Sequence, residues 1–389
     1  MSVQGLHQPV TAGVVTALVG FTSSFAVVLA GLRSVGATPE QAASGLLAVT
    51  VGFGVLMFAL ATWTRIPVTL AWSTPGAALL VSAGTVEGGW PAAVGAFVLT
   101  GVLLALTGAV PALGRLIARI PGHVAQAMLG GVLLGLCLEP VTATADHPWI
   151  VLPVVGTWLV ATRWLPRWAV PLALVVALVG IGVDLARRGE SLDWSAAAPS
   201  LSWTTPSLSV AAVVGIALPL TIVTVTSQNV PGVAVLRSFG YEAPWTKAVV
   251  ASGVGTAVTA PFGGFAINLA AISASLSAGD EAGPRERRWV AAATAGVVAT
   301  AIGVASGVFV VLTSAAPTGV IATVAGLALV PTFAAAVSSS LTDPVHRLSA
   351  AVTFLVAASG LTIAGVSGAF WALVAGLAVH LLLERRSRA

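Results

Sequence analysis

Three polar strings interrupt an otherwise apolar chain, and their residue types suit the binding of an anion. The first is Ser73-Thr74-Pro75-Gly76. A hydroxyl followed by proline marks the start of a helix, yet this one falls inside a hydrophobic run. The second, Pro261-Phe262-Gly263-Gly264, precedes another helical run, with Asn268 as the counterpart of Ser73 at an offset of 195 residues. A helix N-terminus presents unpaired N–H groups and about half an elementary positive charge. Two such ends facing each other hold an anion without any basic side chain. Read instead as ordinary kinks, the same prolines and glycines would make no site. The third string holds Thr224, Thr226, Ser227, Gln228 and Asn229, followed by Pro231. Nine residues separate Gln228 from Arg237, about 13 Å of helix, so the two amides are expected near the centre of a ~30 Å hydrocarbon core. Unpaired amides are expensive there. Gln228 and Asn229 are therefore expected to reach a substrate, and the neighbouring hydroxyls to hold helices together.

Other chemistry is thinly represented. Glu139 and Asp343 each precede a proline at the end of an apolar segment, so each is a candidate for proton coupling or simply a helix cap. His7, His123, His147, His346 and His380 show no ligand spacing, and no metal site is expected from them. The single cysteine, Cys137, excludes an internal disulfide. Basic residues are dispersed, with no aromatic-interleaved patch, so no nucleic-acid partner is expected. No nucleotide-binding loop is found and no cofactor is expected; any uphill transport must draw on an ion gradient. An intramembrane enzyme would need a catalytic dyad or metal cluster within the apolar segments, and none is found.

The elements that must position these residues follow from composition. Of 389 residues, 57% are hydrophobic and 8% charged, where a soluble domain carries roughly 25% charged. The chain reads as an all-α polytopic membrane protein, in contact with the lipid bilayer. Its start, Met1 to Gln8, is short and polar, without a cleavable signal pattern. Residues 9–32, 42–63, 67–84, 90–110, 122–139, 148–163 and 167–184 form seven apolar segments, and 209–236, 246–260, 262–279, 289–313, 319–341, 346–364 and 366–383 seven more. With both termini cytoplasmic, fourteen crossings place 14 of the 17 basic residues inside, leaving only Arg33, Arg187 and Arg188 outside. That bias is what the positive-inside rule requires. Residues 1–186 and 207–389 are expected as two seven-segment repeats about a polar linker, 187–206. An odd number per half inverts the second repeat and centres a binding site at mid-membrane. Sequence echoes agree: Ser82-Ala83-Gly84 with Ser277-Ala278-Gly279, and Glu139-Pro140-Val141 with Asp343-Pro344-Val345. The third segment is expected to run extended from Pro67 to Trp72 and then turn into a half-helix from Pro75; the tenth is expected to hold another half-helix. Tryptophans such as Trp90, Trp149, Trp164, Trp245 and Trp289 flank the segments as aromatic belts do.

The strings Ala71-Trp72-Ser73-Thr74-Pro75-Gly76, Ser227-Gln228-Asn229-Val230-Pro231-Gly232 and Pro261-Phe262-Gly263-Gly264-Phe265-Ala266-Ile267-Asn268-Leu269-Ala270 resemble those of the benzoate transporter family, the BenE-type proton symporters. The resemblance covers essentially the whole chain. It implies benzoate uptake across the bacterial inner membrane, driven by protons, and kinship with nucleobase and sulfate-type permeases. It also implies a core of segments 1–4 and 8–11 and a gate of segments 5–7 and 12–14. Segments 1, 3, 8 and 10 would hold the substrate. Its carboxylate would lie between the half-helix N-termini, near Ser73, Thr74, Gly264 and Asn268, with Gln228 and Asn229 adding hydrogen bonds. Its ring would meet Phe21, Trp72 or Phe265. Nucleobase relatives carry acids in the eighth and tenth segments, where this chain has Gln228 and Ile267, and losing those negative charges suits a carboxylate ligand. The proton would ride on Asp343, on Glu139 or with the substrate. A passive anion channel or uniporter and a nucleobase permease are the alternatives, and a homodimer is compatible with the sequence.

Overall fold

The computed structural model describes residues 6–384 apart from 118, 193 and 364. Arg385, Arg386 and Arg388, counted above in the charge bias, lie outside the described residues. In hydrocarbon every backbone group must find an internal partner, so the apolar runs fold as helices. The first half holds α1 (His7–Thr22), α2 (Phe25–Ser34), α3 (Pro39–Thr64), strand β1 (Leu70–Trp72), α4 (Thr74–Ala83), α5 (Gly89–Ala109), α6 (Pro111–Ile117), α7 (Gly122–Asp146), α8 (Pro148–Trp164) and α9 (Ala169–Arg188). The second holds α10 (Val210–Ser238), α11 (Trp245–Thr259), strand β2 (Ile267–Leu269), α12 (Ala271–Ala278), α13 (Arg288–Val304), α14 (Ser306–Ser314), α15 (Val320–Ser340), α16 (Arg347–Ala358) and α17 (Gly368–Glu384).

Among the described residues, seven helical runs are long and apolar enough to cross a membrane: α1–α2 taken together, α3, α5, α7, α9, α10 and α15. The pair α13–α14, bent by 49°, makes an eighth. The chain is a helical multi-pass membrane protein. The other expected crossings are shorter than a full span by this measure. Helices α8, α11, α16 and α17 have 17, 15, 12 and 17 residues, and segments 67–84 and 262–279 are each a three-residue strand followed by a short helix. The all-helical expectation is corrected at those two segments. A strand advances about 3.3 Å per residue against 1.5 Å in a helix, so a mixed segment gains depth with fewer residues.

Local signals explain where elements begin. Thr38 and Gln41 form a reciprocal capping box that starts α3, with Pro39 next in the chain. The break between α1 and α2 falls at Ser23-Ser24, whose hydroxyls bond back to the carbonyls of Val19 and Gly20, a competition with the helix ladder that bends it. Helices α1 to α5 and α10 to α13 pack on one another together with β1 and β2, while α7, α15, α16 and α17 form a second packed group. Large apolar side chains such as Trp149, Val141 and Val179 stand exposed on the outside, as a surface facing lipid requires.

The helices approach closely where glycines leave room. A Cβ on Gly101 of α5 would sit 2.5 Å from the Ala257 nitrogen and 2.7 Å from the Gly253 oxygen of α11. Gly101→Val should force these helices apart and cost about 1–3 kcal/mol. A melting temperature of the purified variant in detergent several degrees below wild type is the expected result; an unchanged value would refute the close contact.

Candidate substrate site between two short helices

The centre of the molecule is an antiparallel crossing of β1 and β2, pairing Leu70 with Leu269, Ala71 with Asn268 and Trp72 with Ile267. The pairing extends past both ends: Ser73 N donates to Ala266 O at 2.8 Å, and Ala270 N to Thr69 O at 3.1 Å. Each strand then turns at once into a short helix. For α4 the turn is made by Ser73, whose Oγ accepts from Gly76 N at 3.1 Å, with Pro75 in the first turn. Thr224 of α10 donates its hydroxyl to the same Ser73 Oγ at 3.1 Å. For α12 the N-cap is Ala270, and no side chain caps it. By cap position the partner of Ser73 is therefore Ala270, which corrects the expected Ser73–Asn268 equivalence by two residues.

Both helix starts line one cavity of about 130 Å³. Thr74 and Pro75 contribute from α4, and Ala271, Ile272 and Ser273 from α12. Val19, Gly20, Ser23 and Ser24 of the α1–α2 break, Trp72 of β1 and Gln228 of α10 complete one wall, and Ala328, Leu329 and Thr332 of α15 the other. No charged side chain is among the lining residues. The uncapped first turn of α12, with the N-terminus of α4, thus supplies positive potential to an otherwise neutral cavity. A wider cavity of about 580 Å³ shares Val19, Ser23, Ile272, Leu276 and Ala328 with it and reaches Arg167, Asp280 and Glu281. There Arg167 and Glu281 form an exposed, two-pronged ion pair, and the guanidinium holds the Glu281 carboxyl below its ordinary range. A cavity of about 590 Å³ between α8 and α9 is larger than the central one, but it is a groove walled by outward-facing side chains such as Trp149 and Val179. It lies away from both helix starts.

The expected site residues divide into two groups. Thr74, Trp72 and Gln228 line the central cavity. Ser73, Asn229, Asn268, Phe21, Phe265 and Gly264 do not; they build what surrounds it. Asn229 is fully buried and its Oδ1 accepts from Leu269 N at 2.9 Å. Asn268 sits opposite Ala71 in the strand pair, with Nδ2 donating to Leu269 O at 2.9 Å. Asn268 Oδ1 and Asn229 Nδ2 are buried without a partner. Phe21 stacks on Phe25 at 5.4 Å and meets Trp72 edge-on at 5.5 Å. Trp72 Nε1 donates to Ser24 Oγ at 2.8 Å, which fixes the ring against the cavity. Phe265 packs on Phe97 at 6.3 Å. Gly264 is held by the Thr259 carbonyl at 3.0 Å, where a side chain would strike the Thr259 hydroxyl. The hydroxyls of Thr226 and Ser227 bond to carbonyls of their own helix.

Gln228 and Asn229 close a π turn, Val225–Asn229. Such a wide turn shifts the phase of the residues after it and often marks a functional site. Here it turns one amide to the cavity and its neighbour to β2. Of the proton-coupling candidates, Asp343 is exposed and accepts from Val345 N at 3.0 Å, capping a short 3-10 turn. Glu139 is half-buried in α7, one residue before Pro140. Neither lines the central cavity. Sequence reasoning missed the α15 wall. Its signal was Pro331, a proline inside a helix next to Thr332. The histidine spacing was also misleading: folding gathers His123, His346 and His380 around Glu384, which corrects the scattered arrangement read from the sequence.

A neutral cavity between two helix starts, deep in an apolar bundle, is how a multi-pass transporter holds a solute. Residues 6–382 match the family described as benzoate membrane transport protein, and the chain belongs to that family of transporters, which are not enzymes. It is 35% identical over 375 residues to inner membrane protein YdcO of Escherichia coli (strain K12), covering 96% of this chain and 95% of that one. It is 29% identical over 379 residues to the benzoate membrane transport protein of Acinetobacter baylyi (strain ATCC 33305 / BD413 / ADP1), covering 96% and 94%. Its fold is shared with the transmembrane domain of a cyanobacterial bicarbonate transporter, BicA, at a TM-score of 0.63 and 16% identity, over 97% of this chain and 98% of that one. Murine Slc26a9, an anion transporter in the inward-facing state, aligns at 0.64 and 14% identity, over 100% of this chain and 69% of that one.

The different duties of Gln228 and Asn229 are separable. Asn229→Ala strands the buried Leu269 N–H, at a cost of about 1–3 kcal/mol, and should lower the melting temperature. Gln228→Ala removes a cavity group and should leave that temperature unchanged. Equal melting temperatures for the two variants would contradict the assignment.

Proposed function

We propose that the chain is a secondary active transporter that imports an aromatic carboxylate, benzoate above all, by alternating access with proton symport. The observation that carries this reading is the cavity of about 130 Å³ that both short-helix N-termini line without any charged side chain. Fixed N–H dipoles favour an anion, and the small volume favours a single ring. Trp72, Val19 and Leu329 offer apolar walls to that ring, and Gln228 a hydrogen bond to the carboxylate. The curated relative from Acinetobacter baylyi, named for benzoate transport, supports the ligand class.

In the same proposal the chain lies in the bacterial inner membrane with both termini cytoplasmic. It crosses fourteen times as two inverted repeats, 1–186 and 207–389, about the linker 187–206. Segments 1–4 and 8–11 form the core and segments 5–7 and 12–14 the gate. The strand-plus-helix build of both segment 3 and segment 10 supports the inversion, and the charge bias supports the orientation. The proton is carried by Glu139, by Asp343 or by the substrate. The wider cavity that ends at Arg167 and Glu281 would be the cytoplasmic path.

Labelled benzoate uptake into proteoliposomes, with and without an inward proton gradient and in competition with uracil, tests this directly. Concentrative uptake that needs the gradient and is blocked by unlabelled benzoate alone is the expected result. Uptake that only equilibrates would replace the symporter with a uniporter or channel. Absence of benzoate flux in folded protein would overturn the ligand. Gln228→Glu places a like charge beside the carboxylate. Two unit charges about 4 Å apart interact by ~1–4 kcal/mol in a wet site, so uptake should fall roughly fivefold or more. Unchanged uptake with an ionised Glu at this position would remove residue 228 from the site.

A further inference from the structure

Three histidines converge outside the lining of the central cavity, at one end of the α7/α16/α17 group. His123 is the second residue of α7, and His346 directly precedes α16. His380 and Glu384 open and close the π turn that ends α17. One donor atom from each of the four lies within 4.8 Å of all the others. Glu384 Oε2 is 3.0 Å from His346 Nδ1 and 3.1 Å from His380 Nδ1. The carboxylate is 6% exposed, and Ser349 fixes it through its backbone N–H at 2.8 Å and its hydroxyl at 2.7 Å. The His123 ring stacks on His346, with centroids 4.5 Å apart and planes 6° from parallel, and lies 5.1 Å from His380. Its Nε2 is buried and has no hydrogen-bond partner.

We propose that His123, His346, His380 and Glu384 bind one divalent transition-metal ion of the zinc class, which clamps the ends of α7, α16 and α17 together. A hydrogen-bonded lock explains only part of the cluster. Ser349 and two imidazoles already satisfy Glu384, so such a lock has no use for His123 and leaves a buried ring nitrogen orphaned, which native structures rarely tolerate. A metal ion uses all four groups. Three imidazoles and one carboxylate suit Zn²⁺, Co²⁺, Ni²⁺ or Cu²⁺, whereas Mg²⁺ and Ca²⁺ take oxygen-rich shells. With metal–ligand bonds of about 2.0–2.2 Å, tetrahedral donors stand roughly 3.4 Å apart. The closest pairs here, at 3.0 and 3.1 Å, are near that spacing, and the widest closes by side-chain rotation. Ser349 would orient the carboxylate ligand, as groups behind a metal ligand commonly do. The ligands come from three separate parts of the chain, so the ion would restrain the ends of α7, α16 and α17 as one unit.

Tag-free protein, stripped with a chelator and exchanged into chelator-free detergent, would be titrated with Zn²⁺ by calorimetry and with Co²⁺ by visible absorption. One Zn²⁺ per chain with a Kd in the micromolar range or tighter, intense four-coordinate Co²⁺ bands and a raised melting temperature are expected, with no response to Mg²⁺. His380→Ala and His123→Gln should abolish the Co²⁺ bands, and Ser349→Ala should weaken Zn²⁺ binding roughly ten- to a hundredfold. A flat wild-type titration overturns the proposal. So does Zn²⁺ binding that persists unchanged in folded His123→Gln and His380→Ala, which would mark an adventitious ion only. The wild-type titration needs no variant, so a variant that fails to fold leaves the test decisive. Neither readout uses benzoate, so the result stands apart from the transport assay.

Discussion

An unpaired peptide group in hydrocarbon costs several kcal/mol, and this protein starts two helices in the middle of its apolar core. The β1–β2 crossing makes that possible. A two-stranded sheet has two outer edges, and each is a row of bare donors and acceptors unless something covers it. Here side chains do so one group at a time. Met57 Sδ lies 3.4 Å from Leu70 N on one edge. On the other, Thr256 Oγ1 accepts from Ile267 N at 2.9 Å and Asn229 Oδ1 from Leu269 N at 2.9 Å. The contacts come from α3, α11 and α10. The crossing therefore ties α3, α10 and α11 to a single point, and the position of both short helices depends on it.

That anchoring also decides what the polar residues are free to do. Ser73, Asn229 and Asn268 are chemically suited to a ligand, but the backbone around them takes much of their capacity. Ser73 spends its oxygen on Gly76 N and on the Thr224 hydroxyl. What remains for a solute is mostly main chain: the start of α4 and the first turn of α12, which has no side-chain cap. A site made of backbone dipoles needs no buried lysine or arginine, whose charge would demand a counterion when the site empties. It also has no carboxylate to repel an anionic ligand.

The sequence made the helix-start at Ser73-Thr74-Pro75 legible because that signal is local and chemical: a hydroxyl, then a proline, within an apolar run. The expectation that Gln228 reaches the site rested on its distance to Arg237, and its side chain lines the central cavity. The strand pair was not legible. Its partners lie about two hundred residues apart, and three-residue strands are too short to carry an alternating pattern. The division of labour between Gln228 and Asn229 was hidden by the π turn, which breaks the 3.6-residue phase on which facing is judged. The histidine cluster was hidden for a third reason. Its members sit at positions 123, 346 and 380, each at the end of a different helix, and only the packing of α7, α16 and α17 brings them together.

The central cavity is shared unequally between the two packed helix groups, and this bears on how a transport cycle would run. The first group supplies both short-helix N-termini, Trp72 and Gln228. The second supplies Ala328, Leu329 and Thr332 from α15, where Pro331 breaks the regular hydrogen-bond ladder. Nearly all fixed polarity is thus on one side, and the other side is a mostly apolar cover. When the two surfaces part in the proposed cycle, an anion loses little by leaving α15 and much by leaving the helix starts, so it stays with the first group. The cover separates at small cost because a wall of Ala and Leu leaves few stranded hydrogen-bonding groups behind. An arrangement with polar ligands divided evenly across the divide would resist that separation in proportion to how tightly it bound.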